Sequence, residues 1–166
     1  MTQFRVGIGH DIHRLGASRP LILGGVGVPS DSGLHGHSDA DVVLHAVCDA
    51  LLGAAGMGDI GELFPDSDPQ WKNMPSRIFV REVLGRIRLN GWRVENVDVM
   101  VHAERPKLGP RKQEMRAAIA QLLEIDAECV GVKAGTNEGQ DAVGRGEAIA
   151  CSAVALLRRE AGGAIS

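Results

Sequence analysis

The chain has 166 residues, 44% of them hydrophobic and 23% charged, with a formal net charge of -3. That length predicts one domain with its own core, over 1–160, and a short tail at 161–166. The mild acidity excludes the basic surplus that marks a nucleic-acid partner, and no apolar run reaches the ~18 residues of a membrane span.

The first segment, "FRVGIGHDIH", predicts an opening strand. Side chains alternate along a strand, so Asp11 and His13 share one face, directly behind Gly7 and Gly9. "PLILGGVGVPS" predicts a hairpin, two short apolar runs around a glycine pair. "SDADVVLHAVCDALLGAAGMG" predicts the clearest helix, with Ser38 or Asp39 as its cap and Gly56 and Gly58 as its stop. "DIGELFPDSDPQWKNMP" reads as a turn-rich connection, since its prolines and acids oppose regular structure. "SRIFVREVLGRIRLNGW" predicts an amphipathic helix capped by Ser76 and closed by Gly91. "RVENVDVMVHAE" alternates as a strand, "GPRKQEMRAAIAQLLEI" predicts a helix with Pro110 near its start, and "CVGVKAG" another short strand. "GEAIACSAVALLRRE" fits either a helix by length or a buried strand by apolar density. Strands interleaved with helices predict an α/β or α+β domain. Cys48, Cys129 and Cys151 lack CxxC spacing and read as small apolar residues of a reducing compartment, and nothing after Met1 resembles a secretory leader. Both point to the cytoplasm.

Several groups of residues carry chemistry. On the predicted helix, His45 has Asp41 and Asp49 four residues to either side, on one face, so a carboxylate stands ready to back its imidazole. Asp11, His13 and His45 together make a three-ligand set of the kind a catalytic zinc takes, leaving a fourth position for substrate. The same residues also fit a bland arrangement, with the acid capping a turn and a histidine satisfied by backbone. "LHGHSDAD" reads as a second metal cluster or, better, as a helix cap with its acids near the positive end of the dipole. Within it, His37 and Ser38 suit phosphate contact at a helix start. Thr136, Glu138 and Arg145 sit among glycines, where backbone amides reach phosphate oxygens and Glu138 offers a hard oxygen to magnesium. No GxxxxGK[ST] motif is present, so nucleotide hydrolysis of that type is not indicated. Lys107 lies beside a proline-fixed turn that suits a base-binding corner.

Taken in order, "GHDIHRL", "GHSDADVVLHAVCDALLGAAGMGDIGELFPDSDP", "NVDV", "ERPKLGP" and "VKAGTNEG…GRGEAIAC" resemble the 2-C-methyl-D-erythritol 2,4-cyclodiphosphate synthases of the non-mevalonate isoprenoid pathway. The resemblance runs from about Arg5 to Leu157. It implies an α+β fold (an α/β sandwich): one mixed sheet with helices on one side, the sheets of three copies packed around a threefold axis in a homotrimer. It implies zinc, or another divalent transition metal, on Asp11, His13 and His45, and magnesium or manganese on Glu138. His37, Ser38 and Thr136 match phosphate contacts, and Asp59, Ile60, Gly61, Phe64, Pro65, Asp66, Ser67 and Asp68 match the surroundings of the diol. Ala103, Glu104, Arg105, Pro106, Lys107, Leu108 and Gly109 match the cytidine pocket, with Asp49 behind the metal site and Arg145 near the axis. The implied activity is that of a phosphorus–oxygen lyase acting on a small cytidine diphosphate substrate, in active sites between subunits. Asp141 and Ala142 stand where the family commonly has glycine and phenylalanine, which argues against an axial prenyl diphosphate. Two other readings share the metal set: a zinc hydrolase, which needs a general base and no cytidine corner, and a non-catalytic trimer with a structural metal, which would call for a fourth, usually cysteine, ligand.

Overall fold

A computed structural model describes residues 1–160; the tail expected at 161–166 lies outside them. Strand β1 (Gln3–Ala17) is longer than the pattern predicts and lies antiparallel to the last strand, β7 (Ala148–Arg159). β7 pairs antiparallel with β5 (Arg93–His102), and β5 pairs parallel with β6 (Val130–Gly135). With β4 (Gly33–Leu34) on the far edge, the order of this mixed five-stranded sheet is β4-β1-β7-β5-β6. β2 (Leu21–Leu23) and β3 (Val26–Val28) form the expected hairpin, turning at Gly24 and Gly25, both in the left-handed region that glycine enters without strain.

Helix α1 (Val42–Ala55) is buried on nearly every side because β1 and β7 cover one flank and α3 (Ser76–Leu89) the other. Its contact with β1 is backbone on backbone. A Cβ added at Gly9 would stand 1.9 Å from the Ala46 carbonyl oxygen, and one at Gly7 2.0 Å from that of Ala50. Only glycine at these inward positions lets helix and strand approach so closely. The opposite face of β1 and β7 turns Phe4, Val6, Ile8, Ile12 and Val154 outward, all exposed, with Ile8 paired to Val154. Helix α4 (Lys112–Leu123) packs on β6, and Glu124, in the left-handed region, closes it.

Three local expectations need correction, and one left open is decided. The cap of α1 is Asp41, not Ser38 or Asp39; its carboxylate accepts from the Val43 and Leu44 amides and, across the fold, from Gly24 and Gly25. Ser76 is the first residue of α3, not its cap: Pro75 precedes it without a side-chain bond, and the Asp39 carboxylate accepts its amide at 3.1 Å. The acidic connection contains a helical turn, α2 (Ile60–Leu63), capped by Asp59, and a 3-10 turn at Pro69–Trp71, capped by Asp68. The last apolar segment is strand β7, because it is flanked by β1 and β5 and buried within the sheet. A short turn of helix, α5 (Asp141–Gly144), precedes it. Among the described residues no helix is long and apolar enough to cross a membrane.

Candidate metal centre

The close seat of α1 on β1 decides the chemistry. Gly9 meets Ala46, so the next inward residues of the strand, Asp11 and His13, stand beside His45. His45 Nδ1 lies 2.9 Å from Asp11 Oδ2, His13 Nε2 3.0 Å from the same oxygen, and the two nitrogens are 3.4 Å apart. Ligands at ~2.0–2.1 Å around a tetrahedral zinc are separated by about 3.3 Å, so this donor set fits a small divalent cation with little movement. It is the only group of three such side chains among the described residues. The acids and histidines of 34–41 therefore form no second metal cluster. Nor do cysteines complete the first: Cys48 and Cys151 are buried, and burial pushes both thiols far up. Burial also opposes charge on Asp11, yet its contacts with the imidazoles of His13 and His45 hold its carboxyl well below the usual range. His13 is shifted upward in return: burial pulls it down, and Asp11 and a backbone bond to His35 outweigh that.

The backing of His45 departs from expectation. Neither Asp41 nor Asp49 is bonded to its ring. Asp41 is consumed by four amides, and Asp49 accepts the Ile60 amide at 2.8 Å, which ties α2 to α1. His45 Nε2 instead meets the Ser76 hydroxyl at 2.9 Å and that of Ser38 at 3.1 Å, and Ser76 donates to Asp39.

The triad opens into a cleft of about 490 Å³. His37, Ser38, Ile60, Gly61, Phe64, Pro65 and Asp66 line it. Asp59 and Asp68 serve as caps outside that lining, and Ser67 is exposed in the same turn. Trp71 and Phe79, which no sequence pattern marks, form an aromatic wall with Phe64: Phe64 stacks on Phe79 at 4.6 Å, and Trp71 stands edge-on to Phe64 at 5.0 Å. Nor does any pattern mark Arg19, whose guanidinium donates to the carbonyls of Leu34, Gly36 and Ser38 and so fixes the loop that carries His37.

A second cluster forms at the ends of the parallel strands. β5 and β6 finish side by side, with His102 opposite Gly135, so the segment 103–109 emerges next to Thr136 and Glu138. Thr136 donates to Glu138 at 2.7 Å, and Asn137 is held between His102 and Asp141. Ala103 and Leu108 are buried, Glu104 and Pro106 half-buried, and Arg105, Lys107 and Gly109 exposed. Arg145 is exposed and forms a two-pronged pair with Glu147 at 3.0 and 3.1 Å. Three strand spacings, about 14 Å, separate β1 from β6. The lining of the cleft includes no residue of this second cluster.

The whole arrangement has close counterparts. The YgbB family model matches residues 4–158. A protein named 2-C-methyl-D-erythritol 2,4-cyclodiphosphate synthase from Bordetella petrii is 54% identical over 156 residues, covering 94% of this chain and 96% of its own. Among solved structures, the bifunctional IspDF of Campylobacter jejuni superposes with a TM-score of 0.93 at 40% identity over 96% of this chain, which spans 43% of that longer one. The IspF–CDP complex of Plasmodium falciparum superposes with a TM-score of 0.83 at 34% identity, covering 95% of this chain and 97% of its own. A likeness that holds from β1 through β7 leaves a plain conclusion: this chain belongs to the YgbB family, that of the 2-C-methyl-D-erythritol 2,4-cyclodiphosphate synthases.

Proposed function

We propose that the chain converts 4-diphosphocytidyl-2-C-methyl-D-erythritol 2-phosphate to 2-C-methyl-D-erythritol 2,4-cyclodiphosphate and CMP, as a phosphorus–oxygen lyase of isoprenoid precursor synthesis. The observation that carries this reading is the set of three ligand atoms at cation spacing, within 4.8 Å of one another, at the mouth of a cleft with an apolar wall. The 2-phosphate attacks the β-phosphorus, an eight-membered ring closes, and the bond to the CMP oxygen breaks. An ionised phosphate needs no protein base. The difficulty is bringing two anions together, so catalysis rests on positioning and counter-charge. Asp11, His13 and His45 would hold zinc and Glu138 would offer an oxygen to magnesium or manganese, and such cations would supply Lewis-acid neutralisation of the phosphates. His37, Ser38 and Thr136 orient phosphate oxygens. Phe64, Trp71 and Phe79 exclude water around the diol, and 103–109 receives the cytosine.

The cytidine and Glu138 region of one copy completes the metal cleft of its neighbour in a homotrimer. Two features support that assembly: the absence of the second cluster from the lining of the cleft, and the outward apolar side chains of Phe4, Val6, Ile8, Ile12 and Val154, gathered on one face of the sheet. Phosphorus NMR of the protein with substrate tests the activity. Cyclic diphosphate and CMP appear together, and a chelator stops both. Release of CMP without the cyclic product points to hydrolysis, and unchanged turnover in protein shown by elemental analysis to be metal-free overturns the reading.

A further inference from the structure

We propose that Asp39 and Ser76 are positioning residues for the metal ligand His45: a relay from carboxylate to hydroxyl to imidazole that keeps the proton on Nε2 and the lone pair of Nδ1 turned toward Asp11 and His13. The proposal rests on the reading of the triad as a cation site.

The proton count carries it. Ser76 is fully buried, and its hydroxyl has one hydrogen. The nearest acceptor is the Asp39 carboxylate, which can only accept, and Ser76 donates to it in the shortest contact of the cluster. The Ser76 oxygen is left with lone pairs alone for His45 Nε2, 2.9 Å away, so that nitrogen must be the donor. Ser38 stands farther from it, at 3.1 Å, with its oxygen already accepting the Ala40 amide at 3.0 Å. Were Ser38 to donate to Nε2 instead, the shorter contact to Ser76 would face two lone pairs, an arrangement the 2.9 Å distance opposes. With hydrogen fixed on Nε2, the Nδ1 lone pair faces Asp11 Oδ2 at 2.9 Å and His13 Nε2 at 3.4 Å with no proton between them, an arrangement that only a cation seated among the three donor atoms relieves. A ligating histidine is ordinarily held by such an outer partner, which sets its tautomer and raises its basicity.

The relay is anchored at both ends by backbone. Asp39 also accepts the Ser76 amide, in place of a local cap for α3, and its own amide donates to the Met74 carbonyl at 3.2 Å. Asn73 donates to the His37 carbonyl at 2.8 Å. The loop bearing His37 is thereby tied to the segment that carries Trp71 and Phe79, and the ring of His45 is oriented from the junction.

Ser76→Ala separates this role from a structural one, because the alanine amide keeps the bond to Asp39 while the hydroxyl relay is lost. Asp39→Asn provides a second variant that keeps an acceptor but removes the charge. The wild-type chain and both variants are titrated with cobalt(II), followed by its visible absorption, and with zinc(II) against a competing chelator. Thermal melts establish the folded fraction. Cation affinity per folded molecule is expected to fall about 10–100-fold in both variants, with an altered cobalt spectrum. In the zinc-loaded wild type, nitrogen-15 NMR should report a protonated Nε2 and a metal-bound Nδ1 at His45. Variants that melt lower but bind cobalt and zinc as the wild type does overturn the relay while leaving the cation site standing. A wild-type chain that binds neither ion overturns both.

Discussion

The metal centre and the Thr136–Glu138 corner use similar residues on different foundations. Asp11 and His13 project from the middle of a long strand, and His45 from a helix that rests on that strand backbone to backbone. Their spacing is fixed before any ligand arrives. Thr136 and Glu138 stand on a loop beyond a strand end, and Glu138 is exposed with φ of 50°. They bond to each other instead of converging on a cleft. A site on regular elements can be complete in one chain, whereas a site on loops needs a ligand or a second copy to define it.

The contrast breaks most sharply at the triad. His45→Ala should lower turnover by about 10³-fold or more, ~4 kcal/mol of transition-state stabilisation, with cobalt binding lost in parallel. Retained cobalt absorption would show that the triad is not the cation site. Gly9→Ala tests the foundation itself. Its Cβ has no room beside the Ala46 carbonyl, so the helix must lift; urea unfolding should show a loss of about 3 kcal/mol or more, with weaker metal binding. The same change at Gly139, where an added Cβ meets nothing within 4 Å, leaves the triad's affinity intact.

Much of this was legible in the sequence for a physical reason. Period two put Asp11 and His13 on one face, and a strongly patterned helix placed His45. The family blocks then pointed to one constellation. What backs His45 was not legible, because Ser76 reaches it across 31 positions in sequence and Asp39 reaches Ser76 across 37. Spacing of four suggested Asp41 and Asp49 instead, but each was claimed by backbone amides that no local pattern reveals. The turns α2 and Pro69–Trp71 were too short to show a period, and β7 read ambiguously because a strand covered by neighbours on both edges is apolar throughout. Trp71 and Phe79 looked like ordinary loop and core residues until the fold brought both against Phe64.

Two aspartates sharpen the comparison further. Burial pushes Asp41 up to about 6, although the amides of Gly25, Gly24 and Leu44 pull it down. The native state then holds a proton that the unfolded chain releases near pH 4. Stability from this group is present below that pH and declines as pH rises to about 6. In Asp41→Asn the slope over that window should vanish, which urea titrations across the range will read. Asp141 makes similar amide bonds at the exposed corner, where the Gly144 amide and the Asn137 side chain lower its pKa. Its sign is opposite: the contribution is present above the ordinary carboxylate range and is lost as pH falls below it. Asp141→Asn should remove only a shallow acid-side slope.

At the corner, Glu138→Gln should lower turnover by about 10²-fold without changing cobalt affinity at the triad. Thr136→Ala should cost about tenfold in rate. Loss of cobalt binding in either variant would mean that the two regions are not independent.

The bare inward face of β1 has a lasting consequence. Because Gly7 and Gly9 place no side chain between strand and helix, the gap is a contact of main chains, and no choice of neighbouring residue can widen or narrow it. Substitutions on the other flanks of α1 can drift, repack or lose a methylene and be absorbed by α3 and the outer layer. The backbone positions that carry the three donor side chains keep their separations through all of this, and only the orientation of the His45 ring is left to Ser76 and Asp39.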